Sequence, residues 1–155
     1  MPSIGQHLKI KLLKKKDMAV AQQLFVLFQQ VFEADSLDIP STPYLEKLLK
    51  NPDFICYAAV YKKQVIGGLT AYELPMYHAE CSEMFIYDIA VNPQFQKKGV
   101  GKALLKAINA YSAQRNIQVM FVDASEDDHN ALDFYRSTGA NEQPVAMFSY
   151  EVKQA

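Results

Sequence analysis

Residues 8 to 13, LKIKLL, alternate apolar and basic positions, the period-two pattern of a half-buried strand. After Asp17 the period changes. Val20, Leu24, Leu27, Phe28 and Val31 fall on one stripe of a helix, and Asp17 stands where it can cap that helix. Residues 33 to 43 hold Glu33, Asp35, Asp38 and two prolines and predict a loop; Ser41 or Thr42 then caps a short helix through Leu49. Residues 54 to 61 and 65 to 74 read as antiparallel strands joined at Lys62-Lys63-Gln64. Residues 82 to 91, SEMFIYDIAV, form a long strand apolar on both faces, as expected inside a sheet. The helix after Gly99 puts Val100, Leu104, Ile108 and Tyr111 on one stripe, and it leads in parallel to a buried strand over 117 to 122. A short helix over 130 to 137 ends at Gly139, and residues 145 to 152 predict a last strand. The order β-α-α-β-β-β-α-β-α-β is that of a mixed α/β fold, expected as one domain over residues 1–155.

Composition narrows the function. A chain of 155 residues can bury one sizeable core. Its net charge of −1 gives no general basic face, so a nucleic-acid partner is not expected. Cys56 and Cys81 sit in apolar or strand-like surroundings and suit a reducing cytoplasm. There is no Cys/His cluster, so no metal is expected, and His78 and His129 read as surface residues. The first 16 residues lack an apolar run of signal-peptide length, and no segment approaches the ~20 apolar residues of a membrane span. No membrane partner is expected; a homodimer is compatible with the sequence.

The chemistry begins where the long strand hands over to the helix, in VNPQFQKKGVGKALL. The pattern is neither a P-loop nor a dinucleotide fingerprint. Glycine in such a loop can serve the turn alone, with its lysines merely solvated. The alternative is an anion site. N–H groups in the first turn of a helix lack intrahelical partners and can point at a phosphate. Gly99 and Gly101 let that backbone come close, and Lys97, Lys98 and Lys102 add positive charge.

These residues resemble those of the GNAT superfamily of acetyl-coenzyme A-dependent N-acetyltransferases. Its signature Gln/Arg-x-x-Gly-x-Gly/Ala is similar to Gln96-Lys97-Lys98-Gly99-Val100-Gly101. A second signature, on the penultimate helix, is similar to HNALDFYRSTGA, with Asn130, Ala131, Tyr135 and Gly139. Within the family, SEMFIYDIAV resembles the SEIYIYDLAV strand of the type I aminoglycoside 3-N-acetyltransferases. GGLTAYELP and DASEDDHNALDFY resemble the same group, over residues 44 to 139. The resemblance implies a GNAT fold: a mixed central sheet flanked by helices, antiparallel at first and parallel around the acyl-coenzyme A site. Acetyl-coenzyme A is then the co-substrate. Its pyrophosphate would rest on Gln96, Lys97, Lys98, Gly99, Val100, Gly101 and Lys102. Its pantetheine arm would bond to the strand edge at Ile89, Ala90 and Val91, with Asn130 and Tyr135 as further contacts. Tyr135 would also be the acid that protonates the leaving thiolate.

Asp88 lies inside an apolar strand, where a carboxylate is costly and usually partnered. A substrate ammonium is one candidate partner; an internal lysine is another. Strict alternation puts Glu83 with Tyr87 and Asp88 on the opposite face, whereas a β-bulge near Tyr87 would reunite them. Asp88 is the first candidate base and Glu83 the second. A polycationic acceptor would also need carboxylates, and Glu33, Asp35, Asp123, Glu126, Asp127 and Asp128 are candidates, beside Tyr87 and Asp88. Acidic loops are also commonly just solvated. The expected reaction is acetyl transfer to an aminoglycoside, most specifically its 3-amino group. A polyamine, metabolite or protein amine is the alternative acceptor, and a non-catalytic coenzyme A sensor the alternative class.

Overall fold

In the computed structural model, which describes residues 3–155, one five-stranded sheet organises the chain as far as Asp123. Its strands are β1 (Leu8–Leu12), β2 (Phe54–Tyr61), β3 (Gln64–Pro75), β4 (Ser82–Val91) and β5 (Ile117–Phe121), in spatial order β1-β2-β3-β4-β5. The first four pair antiparallel, and β5 joins β4 in parallel. Helices α1 (Met18–Val31) and α2 (Thr42–Lys50) connect β1 to β2, and α3 (Val100–Ala113) makes the crossover from β4 to β5. The β2–β3 hairpin turns on Lys62 and Lys63, both at positive φ (46° and 69°), the geometry of a two-residue type I′ loop.

The sheet is buried on both faces. Alternate residues of β2 divide between two cores. Phe54, Cys56 and Ala58 pack with Leu24, Leu27 and Phe28 of α1, while Ile55, Tyr57 and Ala59 pack with Val100, Leu104 and Ile108 of α3. The Cys56 thiol, 1% exposed, is pushed up to about 12 by burial and is inert as a nucleophile. Gly68 lets α1 close on the sheet. A Cβ there would stand 2.4 Å from one Leu24 methyl and 2.7 Å from the Tyr57 carbonyl oxygen. Gly68→Ala is therefore expected to lower stability by about 1–3 kcal/mol through overpacking, measurable by urea unfolding.

Three expectations need correction. Asp17 occupies the N-cap position of α1, but its carboxylate faces backward. It pairs with Lys11 at 2.8 Å and accepts from the Lys14 N–H at 2.9 Å. The strand after α3 is not buried, since it is an edge: Val119 is 51% and Phe121 40% exposed. No strand forms over 145 to 152, where one was expected, since period-two alternation does not by itself make a strand.

The part from Ala124 onward contains α4 (His129–Ser137). Asp128 caps it, accepting from the Ala131 N–H at 3.0 Å. Gly139, at φ 82°, ends it. Arg136 then grips Glu142 with two hydrogen bonds of 2.7 and 2.8 Å.

Candidate active site

The register of β3 against β4 answers the question raised by Asp88. Thr70 is opposite Asp88, and Ala71 is opposite Ile86. Tyr87 is the extra residue, so a β-bulge lies there. Its effect shows in the packing. Before the bulge, Met84 and Ile86 enter the α3 core; after it, Ile89 and Val91 do, and Ala90 enters the α1 core. The face that carries Glu83, Phe85 and Tyr87 therefore continues with Asp88.

Asp88 is half-buried, and among the described residues no Lys, Arg or His lies within 4 Å of its carboxylate. The internal lysine partner is thus not found. Thr70 donates its hydroxyl to Asp88 Oδ2 over 3.4 Å, a long and weak bond. Burial raises the Asp88 pKa above the ordinary carboxylate value, and the Thr70 bond only partly offsets this. The result is a carboxylate more basic than a surface one and short of a strong partner.

An aromatic row runs beside it. Tyr72 meets Tyr87 edge-on at 5.9 Å, Tyr87 meets Phe85 at 5.5 Å, and Phe85 stacks on Phe121 at 4.9 Å. Burial raises the Tyr72 phenol, and the charges of Tyr44, Tyr87 and Asp88 add to that rise. Thr70, Tyr44, Tyr72, Phe85 and Phe121 were not among the expected site residues. Their assembly depends on cross-strand register, which no local pattern encodes. Glu83 is half-buried on the same face of β4, opposite Leu74 and Val119.

At the other end of β4 the sheet opens. The pairing with β5 ends at Phe85 and Phe121, while β4 continues six residues to Val91. The Asn92 N–H donates to Ile66 of β3 at 2.8 Å. By alternation Ala90 also turns its backbone to β3, whereas Ile89 and Val91 turn theirs to the open side. Ala90 thus contributes backbone to the ladder and a methyl to the core, 6% exposed, rather than an open edge. The Gln96 side-chain amide donates to the Val91 carbonyl at 3.0 Å and ties the open edge to the loop beyond.

That loop is shaped for an anion. Lys97 has φ 58° and Gly99 φ 85°, and Gly99 is the N-cap of α3. The N–H groups of Lys97, Lys98, Gly99, Val100, Gly101 and Lys102 have no acceptor among the described residues. Left-handed residues alternating with ordinary ones gather successive N–H groups into a concavity that binds anions. The positive end of the α3 dipole points the same way. A Cβ at Gly99 would meet nothing within 4 Å, so the space is open to a ligand. Lys98 lies over the Phe95 ring, its Nζ 5.6 Å from the centroid.

The remaining expected residues are less concentrated. Glu33, Asp35 and Asp38 are exposed on the segment between α1 and α2, and Asp123 is exposed after β5. In the part beyond Asp123, Asp127 and Asn130 are exposed and Asp128 serves as the helix cap. Tyr135 is half-buried on α4, its ring 5.2 Å from that of Phe134. Among the described residues no group of three His, Cys, Asp or Glu could hold a metal ion.

An open strand edge leading into an N–H-lined anion loop is a site for an extended ligand that ends in phosphate. The chain belongs to the acetyltransferase (GNAT) family, whose model matches residues 21–140 and whose members use acetyl-coenzyme A. Among solved structures it is similar to meta-AAC0020, an aminoglycoside acetyltransferase from an uncultured soil metagenomic sample crystallised with sisomicin. The identity is 38% and the TM-score 0.94, over 97% of this chain and 99% of that one. A second soil metagenomic aminoglycoside acetyltransferase, HMB0005, is 30% identical with a TM-score of 0.87, over 94% and 99% of the two chains. Among curated proteins, the ribosomal protein bS18-alanine N-acetyltransferase of Escherichia coli K12 is 29% identical over 63 residues, 41% of this chain. That match spans 43% of the relative's length.

Proposed function

We propose that this chain is a single-domain, acetyl-coenzyme A-dependent N-acetyltransferase whose acceptor is an aminoglycoside, acetylated on its 3-amino group. The observation that carries the reading is Asp88: half-buried, more basic than usual and, among the described residues, without a cation within 4 Å. An ammonium group of the acceptor supplies the missing partner. Tyr72 and Tyr87, edge-on to each other at 5.9 Å, offer phenolic hydroxyls that suit a hydroxyl-rich molecule. The similarity to an aminoglycoside acetyltransferase crystallised with sisomicin supports the acceptor class. The resemblance of β4 to the type I enzymes supports the 3-amino position.

In this reading the loop Gln96 to Lys102 holds the pyrophosphate, and the Ile89 and Val91 backbone holds the pantetheine arm. Acetyl-coenzyme A supplies an activated thioester. Asp88 takes a proton from the bound ammonium, with Glu83 the second candidate for that role. The amine forms the new C–N bond as the C–S bond breaks, Tyr135 gives its proton to the thiolate, and the second proton of the amine nitrogen restores Tyr135 while that held by Asp88 passes to water. One proton leaves to solvent over the cycle. Asn130 contacts coenzyme A, and Glu33, Asp35, Asp123, Asp127 and Asp128 supply charge to the polycation.

Acetylation of sisomicin by the purified chain, with the product located by NMR, tests this directly. A product acetylated at another amine keeps the enzyme and overturns the position; no product returns the sensor reading. The partial likeness to a ribosomal-protein acetyltransferase favours one second reading, a protein α-amine acceptor. Tyr135→Phe keeps the ring and removes only the hydroxyl. It is expected to lower kcat on the order of 10²-fold with coenzyme A affinity unchanged, read by stopped-time kinetics and calorimetry.

A further inference from the structure

Thr70 is a polar residue inside the sheet. Its neighbours Leu69 and Ala71 are fully buried in the α3 core, so by alternation Thr70 points to the α1 face, where it is 5% exposed. A buried hydroxyl needs a partner. Among the described residues, the side-chain hydrogen bond that Thr70 makes is to Asp88, its Oγ1 donating to Oδ2 over 3.4 Å. Valine would suit a buried strand position with no hydroxyl to satisfy, so packing alone does not call for threonine.

The bulge creates this pair. Ala71 is opposite Ile86, and unbroken pairing would set Thr70 opposite Tyr87 and turn Asp88 toward the α3 core. With Tyr87 as the extra residue, Thr70 stands opposite Asp88 on the same face. An ionised carboxylate accepts through two oxygens. Oδ2 is held by Thr70; among the described residues Oδ1 accepts no hydrogen bond.

The ionisable groups around Asp88 supply no competing cation. On the sheet, Glu83, Tyr72 and Tyr87 share its face, and the charge of Asp88 is felt at Tyr72. Helix α1, which packs on that face, has no charged side chain, and neither has β5. From α2, Tyr44 is coupled to Tyr72, Glu46 is held by Lys15 and Lys50, and Lys47 is exposed. Lys102 and Lys106 belong to α3, which packs on the opposite face.

We propose that Thr70 is a positioning residue for acetyl transfer: its hydroxyl anchors Oδ2 of Asp88, leaves Oδ1 for the acceptor ammonium, and favours the charged carboxylate in a half-buried place. This role rests on the reading of Asp88 as the base.

Thr70→Val removes the donor, and the bond favours the charged form of Asp88. The acid limb of the kcat/KM profile for sisomicin should therefore move to higher pH, with the rate on that limb down on the order of three- to tenfold, the worth of one modest hydrogen bond. Thr70→Ser keeps the hydroxyl and should restore the wild-type profile. In an Asp88→Asn background Thr70→Val should change nothing further, whereas a packing defect would lower both backgrounds alike. Carbon-13 NMR titration of the Asp88 carboxylate in the free protein, assigned by its loss in Asp88→Asn, is independent of turnover. It should titrate at higher pH in Thr70→Val than in the wild type. Thr70→Ala serves in the same measurements, so the outcome does not depend on the folding of one variant. An unmoved titration overturns the proposal whatever the rates do. A raised titration with an unmoved rate profile overturns it by another route: Thr70 then holds Asp88, and it is the assignment of Asp88 as the base that fails.

Discussion

Asp88→Asn is expected to lower acetyl transfer at neutral pH by about 10²-fold or more, the typical worth of a positioned base. The substitution keeps the size of the side chain and removes its charge and basicity. Both losses fall on the acceptor: its ammonium loses a partner and keeps its proton. Activity should recover partly as pH rises, because more of the amine arrives neutral. A pH–rate series on variant and wild type separates this from a folding defect. Stability should move the other way. The Asp88 pKa is raised in the folded chain, chiefly by burial, so the folded state holds that proton more tightly than the unfolded chain. Its contribution to stability is complete below the unfolded carboxylate pKa and is lost as pH rises through the folded value. At neutral pH the asparagine variant is therefore expected to unfold later than the wild type, and the difference should vanish in acid. A less active but more stable variant is what a functional site held at a cost would give. Full activity in Asp88→Asn would move the base to Glu83 or to a water chain.

Gly99→Val has the second largest expected effect, on a different ligand. Gly99 sits at φ 85°, where a β-branched residue is strained, and its conformation aims the N–H groups of residues 97 to 102 outward. Straightening that turn would scatter several donors at once. Each charge-assisted bond is worth about 1.5–3 kcal/mol, so acetyl-coenzyme A affinity should fall between about tenfold and several hundredfold. No atom lies within 4 Å of the added Cβ, so the fold should survive. Calorimetry on the variant, with circular dichroism as the control, gives the answer. Unchanged coenzyme A affinity would remove the anion loop from the account.

The features that could be read from the sequence are those set by neighbours along the chain. The glycine loop before α3 was visible because its function depends on consecutive residues. So was the anomaly of Asp88, a carboxylate among Tyr87, Ile89 and Ala90. Its face was not decidable: alternation and a bulge give opposite answers, and only the β3 register shows Tyr87 to be the extra residue. The aromatic row Tyr72, Tyr87, Phe85 and Phe121 draws on three strands and leaves no local trace. Asp17 looked like a helix cap because position favours it. Lys11 and the Lys14 N–H compete for the same carboxylate, and they win. Residues 145 to 152 have the alternation of a strand but form none, because alternation records the side chains and not the ladder partner that a strand also needs.

The central claim is that the site transfers acetyl to a polycationic, hydroxyl-rich amine. Initial rates of coenzyme A release, with acetyl-coenzyme A saturating and sisomicin, spermidine and an amino-terminal alanine peptide as parallel acceptors, test it most directly. The account predicts the highest kcat/KM for sisomicin, by at least about tenfold, and its loss in Asp88→Asn. A peptide or spermidine turned over faster than the aminoglycoside would contradict it.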